Sequence, residues 1–159
     1  MKTILEIFYL RMSGTRVRYQ RKKISLSRKG SNPDQRIWVN IRDEQRESSE
    51  QQEFIVHSTS WRYERPDKVL LTYAAYSDEL TFEKGKSKSI PLQDLRVIRT
   101  KSCKPRSQAE LEKKLVSHAM RHIAFLIKTD NEIDFKSSMT PETIEKFEKL
   151  WVNLAGKVF

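Results

Sequence analysis

Apolar residues alternate with polar ones through most of the first hundred positions and then recur at three- and four-residue spacing, so strands come before helices. Residues 1–12 hold a nearly continuous apolar run broken by Glu6, which reads as a strand or short helix docked on the core. Val17 and Tyr19, then Ile24 and Leu26, alternate as one or two strands. Residues 30–34 have turn chemistry, and Ile37, Val39 and Ile41 alternate over 36–42 as a further strand. Residues 43–53 are rich in Glu, Gln and Ser and read as a mobile loop. Residues 54–64 and 69–76 form two strands around a turn at 65–68. Their odd positions, Ile55, His57, Thr59, Trp61 and Tyr63 with Val69, Leu71, Tyr73 and Ala75, share one face, which we expect to be buried beneath the C-terminal helices. Residues 92–99 give another strand with Leu95 and Val97 inward, after a loop carrying Lys84, Lys86 and Lys88.

Two helices follow. Ser107 and Glu110 have capping-box spacing, and Leu111, Leu115, Ala119, Ile123 and Leu126 form one stripe at 100° per residue, with His118 and His122 inside it. The last helix opens at Thr140-Pro141, presents Ile144, Phe147, Leu150, Trp151 and Leu154, and ends at Gly156. No internal repeat is visible. The pattern predicts an α+β fold: an antiparallel sheet of about five to six strands with two C-terminal helices packed on one face. Residues 1–159 make a single domain, with basic strands and an acidic loop over 1–53 and the α+β core over 54–159.

Composition narrows the function classes. Hydrophobic residues make up 37% of the chain, below the ~45–50% of an average globular domain. A single cysteine, Cys103, excludes an intrachain disulfide framework and a multi-cysteine zinc module. No run approaches the ~18 apolar residues of a membrane span. Glu6, together with Arg11 and Arg16 after the apolar run, argues against a signal peptide, so a cytoplasmic protein is expected. Met12 is an alternative start that would leave residues 1–11 dispensable.

The chain has 31 Lys+Arg against 21 Asp+Glu, a formal charge of +10. Arg16, Arg18, Arg21, Lys22, Lys23, Arg28 and Lys29 form one cluster without an acidic residue. Lys84, Lys86, Lys88, Arg96, Arg99, Lys101, Lys104 and Arg106 form a second. On one side of the sheet they would make a phosphate-neutralising stripe, with Tyr19, Trp38 and Trp61 as stacking surfaces for bases. The bland alternative is a set of solvated edges that block sheet-to-sheet aggregation. No RNP, KH, helix-turn-helix or zinc-finger pattern names a nucleic-acid module.

The three histidines, His57, His118 and His122, all fall on expected inward faces. An i, i+4 pair with a third imidazole from a strand is a three-ligand metal arrangement, but His118-Ala-Met-Arg-His122 lacks the glutamate of H-E-x-x-H. Core histidines satisfied by hydrogen bonds are the competing reading. Ser58 and Ser60 flank His57 without the glycines of a nucleophile elbow. Glu64, Asp67 and Asp130 sit at turns, and Cys103 is a lone loop thiol. With four glycines and no G-x-G-x-x-G or Walker pattern, no phosphate-cradling glycine loop is expected.

The segment His57-Ser-Thr-Ser-Trp-Arg-Tyr-Glu64, continuing into Val69-Leu-Leu-Thr-Tyr-Ala-Ala75, and the later His118-Ala-Met-Arg-His-Ile-Ala-Phe-Leu126 resemble a group of small uncharacterised bacterial proteins, notably cyanobacterial ones. The resemblance spans about residues 54–130 and implies a source and a compartment but no mechanism. It joins Trp61, Arg62 and Arg121 to the histidines as one candidate pocket. On a regular strand Arg62 and His57 point to opposite faces, so a bulge would be needed to bring them together. These observations predict a non-enzymatic protein without a cofactor that binds an acidic macromolecule, nucleic acid or protein, through its basic strands. The alternative is a metal-binding protein or hydrolase built on His57, His118 and His122.

Overall fold

The computed structural model describes residues 1–26, 30–45, 54–95, 107–130 and 139–154. Its elements run β1 (Lys2–Ser13), β2 (Arg16–Leu26), α1 (Pro33–Glu44), β3 (Ile55–Arg65), β4 (Lys68–Tyr76), β5 (Lys88–Pro91), a 3-10 turn at Leu92–Asp94, α2 (Gln108–Thr129) and α3 (Pro141–Leu154). The fold is α+β. Five strands lie in the order β3-β4-β1-β2-β5. Two antiparallel hairpins, β1–β2 and β3–β4, meet along a parallel β1–β4 seam, so the sheet is mixed and not wholly antiparallel.

β1 is the central strand, and its continuous apolar run has the form expected of a strand covered on both faces. A chain beginning at Met12 would lack the strand that holds the two hairpins together, so residues 1–11 are not dispensable. Gly14, at φ +60, closes the two-residue turn into β2 in the left-handed region that a side chain rarely tolerates.

Phe8, Leu10 and Met12 point to one face with Ala74 and Tyr76 of β4. There they pack against Leu115, Ala119, Met120 and Ile123 of α2 and Phe147 and Leu150 of α3. Each such fully buried side chain is worth roughly 1.5–3 kcal/mol. Leu5, Ile7 and Tyr9 point to the other face and meet Ile37 and Ile41 of α1, with Tyr73 and Ala75 beside them. Tyr9 Oη donates to Asn40 Oδ1 at 2.7 Å and Tyr73 Oη to Asp34 Oδ1 at 2.7 Å, which ties α1 to the sheet.

The 36–42 segment is therefore helix and not strand. Ile37 and Ile41 sit four apart as well as two apart from Val39, so the short alternation fits both periods. The start chemistry decides it: Asn32 Oδ1 accepts from Asp34 N at 2.9 Å, and Pro33 occupies the first helical turn. The residue 30–34 turn is the entry to that helix, and Asp43 and Glu44 belong to its last turn and not to a loop. Similarly, Leu92–Asp94 is a 3-10 turn and the strand lies before it, at Lys88–Pro91; Leu95 is buried, as expected, while Val97 lies outside the described residues. Helix α2 begins where the capping signal put it, with Ser107 Oγ accepting from Glu110 N at 3.2 Å. Thr140 caps α3, accepting from Thr143 N at 3.3 Å, and Gly156 lies outside the described residues.

The expected facing of the β3–β4 hairpin is overturned in part. Ile55 pairs with Tyr76 and His57 with Ala74, so these odd positions of β3 face α2, opposite the even positions of β4. The register then shifts between Ser58 and Ser60: Thr59 is the extra residue of a β-bulge, and Trp61 pairs with Leu71. Beyond the bulge the odd residues turn to the α1 face. Trp61 is 64% exposed and Tyr63 57% exposed, and Tyr73 is buried under α1 and not under the C-terminal helices.

Candidate functional site

The same bulge turns Arg62 to the α2 face, where it meets an acid that the strand pattern buries. Glu6 shares its parity with Phe8 and Leu10, and its side chain is 0% exposed. Arg62 grips it with both terminal nitrogens, Nη1 to Oε1 at 2.8 Å and Nη2 to Oε2 at 3.0 Å. Thr72 Oγ1 donates to Oε1 at 2.9 Å, and Arg21 Nε donates to Oε2 at 2.7 Å from the other side. Arg21 also reaches Glu112 of α2 at 3.5 Å. Glu112 Oε2 accepts from Tyr19 Oη at 2.8 Å and from Lys88 Nζ at 2.9 Å. The result is a ladder of charges, Arg62–Glu6–Arg21–Glu112–Lys88, with members from β3, β1, β2, β5 and α2.

Burial pushes the Glu6 carboxyl up, but the hydrogen bonds and charges of Arg62 and Arg21 outweigh it and hold it below the usual carboxylate range. Glu112 is likewise lowered: Lys88, Tyr19 and Arg21 together overcome its desolvation. Burial and the neighbouring Glu112 push the Tyr19 hydroxyl up, and its ring is buried, so Tyr19 offers no stacking surface.

The imidazoles gather at the next position along β3. His118 Nε2 lies 3.1 Å from the carbonyl oxygen of Thr59, the bulge residue whose backbone has left the ladder. His122 Nε2 lies 3.1 Å from His118 Nε2. A carbonyl only accepts, so His118 Nε2 carries the proton, and His122 Nε2 presents a lone pair to the same hydrogen; this tautomer follows from the bonding network. His57 completes the cluster, its ring centroid 5.2 Å from that of His122. Burial first, then the charges of His118, His57 and Arg121, push His122 down to about 4, and burial also lowers His57. Both shifts favour the neutral forms of His122 and His57. Among the described residues, no group of three His, Cys, Asp or Glu side chains is placed to hold a metal ion.

Of the candidate pocket residues, His57, His118 and His122 come together, and the charge of Arg121 bears on His122. Arg62 shares their face but is committed to Glu6, and Trp61 points away. Ser58 is exposed, and the hydrogen bonds of the imidazoles run to the Thr59 carbonyl and to each other, not to Ser58 or Ser60. Cys103 lies outside the described residues.

The first basic cluster is split by strand alternation. Arg21 and Lys23 face α2; Arg16, Arg18 and Lys22 face the α1 side. Arg21 is in the ladder, Lys22 is paired with Glu44 and Glu83, and Lys23 lies 3.6 Å from Glu64. Arg28, Lys29, Lys101 and Lys104 lie outside the described residues. Sequence reasoning missed Glu6, Thr72 and Glu112. The signal for Glu6 was present: an acid in phase with Phe8 and Leu10 must be buried and must find a cation.

Comparison of the chain with protein-family models, curated proteins and solved structures finds no match.

Proposed function

We propose that this chain is a non-enzymatic binding protein whose acidic partner is a single-stranded nucleic acid, held on the sheet face at the turn end of the β3–β4 hairpin. One observation carries the reading. Trp61 and Tyr63 stand side by side, ring centroids 5.6 Å apart and nearly perpendicular, with most of both rings in solvent on the α1 side of an edge strand. A folded domain has little reason to leave two large neighbouring aromatics uncovered unless something stacks on them. The register puts Lys2, Arg65 and Lys68 at the same end of the sheet but on its α2 side, Lys68 against Glu64, so the stacking surface itself supports the reading. Trp38, 39% exposed on α1, is a further apolar surface beside the sheet. Base stacking on an aromatic ring is worth about 1–3 kcal/mol per base and tolerates any sequence.

Fluorescence anisotropy with labelled oligo(dT) at low salt tests this. Trp61→Ala with Tyr63→Ala is expected to weaken binding about tenfold or more, with the melting temperature nearly unchanged. Unchanged affinity in that double variant would remove the proposal. Arg21 is committed to the buried Glu6 and Glu112, so its substitution reports on folding before it reports on binding, while Lys22 and Lys23 are already paired with surface acids.

A second reading, a metal or hydrolytic centre on His57, His118 and His122, draws on the 3.1 Å approach of two ring nitrogens. Metal analysis of protein purified without a histidine tag tests it: stoichiometric zinc, lost in His118→Gln with His122→Gln, supports it, and metal-free protein that folds normally counts against it.

A further inference from the structure

Beside β5, on the side facing away from the charge ladder, lies a cleft of about 150 Å³ lined by Ser13, Arg16, Arg18, Ser87, Lys88 and Ser89. It is smaller than the ~300 Å³ at which small-molecule pockets begin, which suits a single tetrahedral oxyanion. Both arginines are held in place by hydroxyls and not by carboxylates. Arg16 Nε donates to Ser89 Oγ at 2.9 Å, and Arg18 Nη2 donates to Ser87 Oγ at 2.7 Å. A serine oxygen that accepts from arginine keeps its own hydrogen free to donate elsewhere. The Arg18 guanidinium also lies over the Phe82 ring, 4.9 Å from its centroid, and Arg11 shares that ring at 5.6 Å.

Arg11 and Arg18 are directly opposed across β1 and β2, an arrangement that like charges disfavour. Among the described residues none of Arg11, Arg16 and Arg18 forms an ion pair. The Lys88 ammonium is turned to the other face, onto Glu112. Two preorganised guanidinium groups, flanked by hydroxyls with hydrogens to give, match two negative charges on one small anion.

We infer that this cleft binds a dianionic phosphate, free or as a monoester, with Arg16 and Arg18 as the charge partners and Ser87 and Ser89 as the positioning residues. The site is independent of the Trp61–Tyr63 surface. The test is thermal unfolding of the whole chain at constant ionic strength, titrated with inorganic phosphate, glycerol 3-phosphate, dimethyl phosphate and chloride. Phosphate or glycerol 3-phosphate is expected to raise the midpoint saturably, and the one that saturates at lower concentration identifies the source. Arg16→Gln with Arg18→Gln should abolish the rise. Ser87→Ala with Ser89→Ala, which keeps both charges and loses only their orientation, should shift saturation to about tenfold higher concentration. An equal rise with dimethyl phosphate or chloride overturns the inference, as does a rise that survives the arginine substitutions.

Discussion

Arg18 and Arg21 stand three positions apart on β2, on opposite faces of one sheet, and the chain treats them in opposite ways. Arg21 is enclosed between two buried carboxylates and is part of the structure's own neutralisation. Arg18 touches a serine hydroxyl and a phenyl ring and meets no acid among the described residues. Residues of one chemical type, in one run that sequence inspection reads as a single basic patch, thus divide into cations that hold the fold and cations left for something else. Net charge counts both, but only the second kind attracts a partner.

Perturbing both sides of this division should give unequal effects. Glu6→Gln leaves Arg62 and Arg21 facing each other without a compensating charge and should destabilise the protein by about 3–5 kcal/mol, read by urea unfolding. Arg18→Gln in the same assay should stay within about 0.5 kcal/mol. A large loss at Arg18 and a small one at Glu6 would reverse the comparison.

Acid should act in two stages. His122 is lowered to about 4 in the folded protein, so only the unfolded chain takes up its proton as pH falls from its ordinary value toward that point. Stability is therefore full above the ordinary histidine range and should decline by roughly 1–2 kcal/mol on the way to pH 4, the full linkage being discounted for a half-buried ring. His57 is lowered too and adds in the same direction. Glu6 and Glu112 are held below their usual values, so their contribution is intact above the ordinary glutamate range and is lost only at lower pH. A His122→Gln variant should lose most of the first stage, leaving the share of His57, and keep the second.

Smaller effects belong to the surface. Trp61→Ala should move stability by no more than about 0.5 kcal/mol, because the ring is already mostly in water. Lys22→Gln removes exposed pairings with Glu44 and Glu83 and should cost about 0.2–1 kcal/mol at low salt, fading as salt is raised.

Helices α2 and α3 were legible because their caps and three-four spacing agree, and the β3–β4 hairpin because a turn separates two long alternating runs. Residues 36–42 misled because three alternating apolar residues satisfy either period; Asn32-Pro33 carried the deciding information. The facing of Trp61 misled because one extra residue at Thr59 inverts the positions from Ser60 to Tyr63, before a second shift ahead of Arg65, and nothing local in Ser-Thr-Ser announces a bulge. The need for that bulge was nonetheless deducible if Arg62 and His57 were to share a face. The ladder was hidden for another reason: its members lie far apart in sequence, and only the sheet order makes them neighbours.

That sheet order bears on synthesis. Residues 2–13 leave the ribosome early, yet their second partner, residues 68–76, is still some fifty to sixty positions away. At about 5–20 residues per second the first hairpin waits several seconds with its inner edge unsatisfied. Folding of this chain is thus gated by translation of its middle, and a pause before residue 68 would prolong the interval in which a nascent edge can pair with the wrong strand.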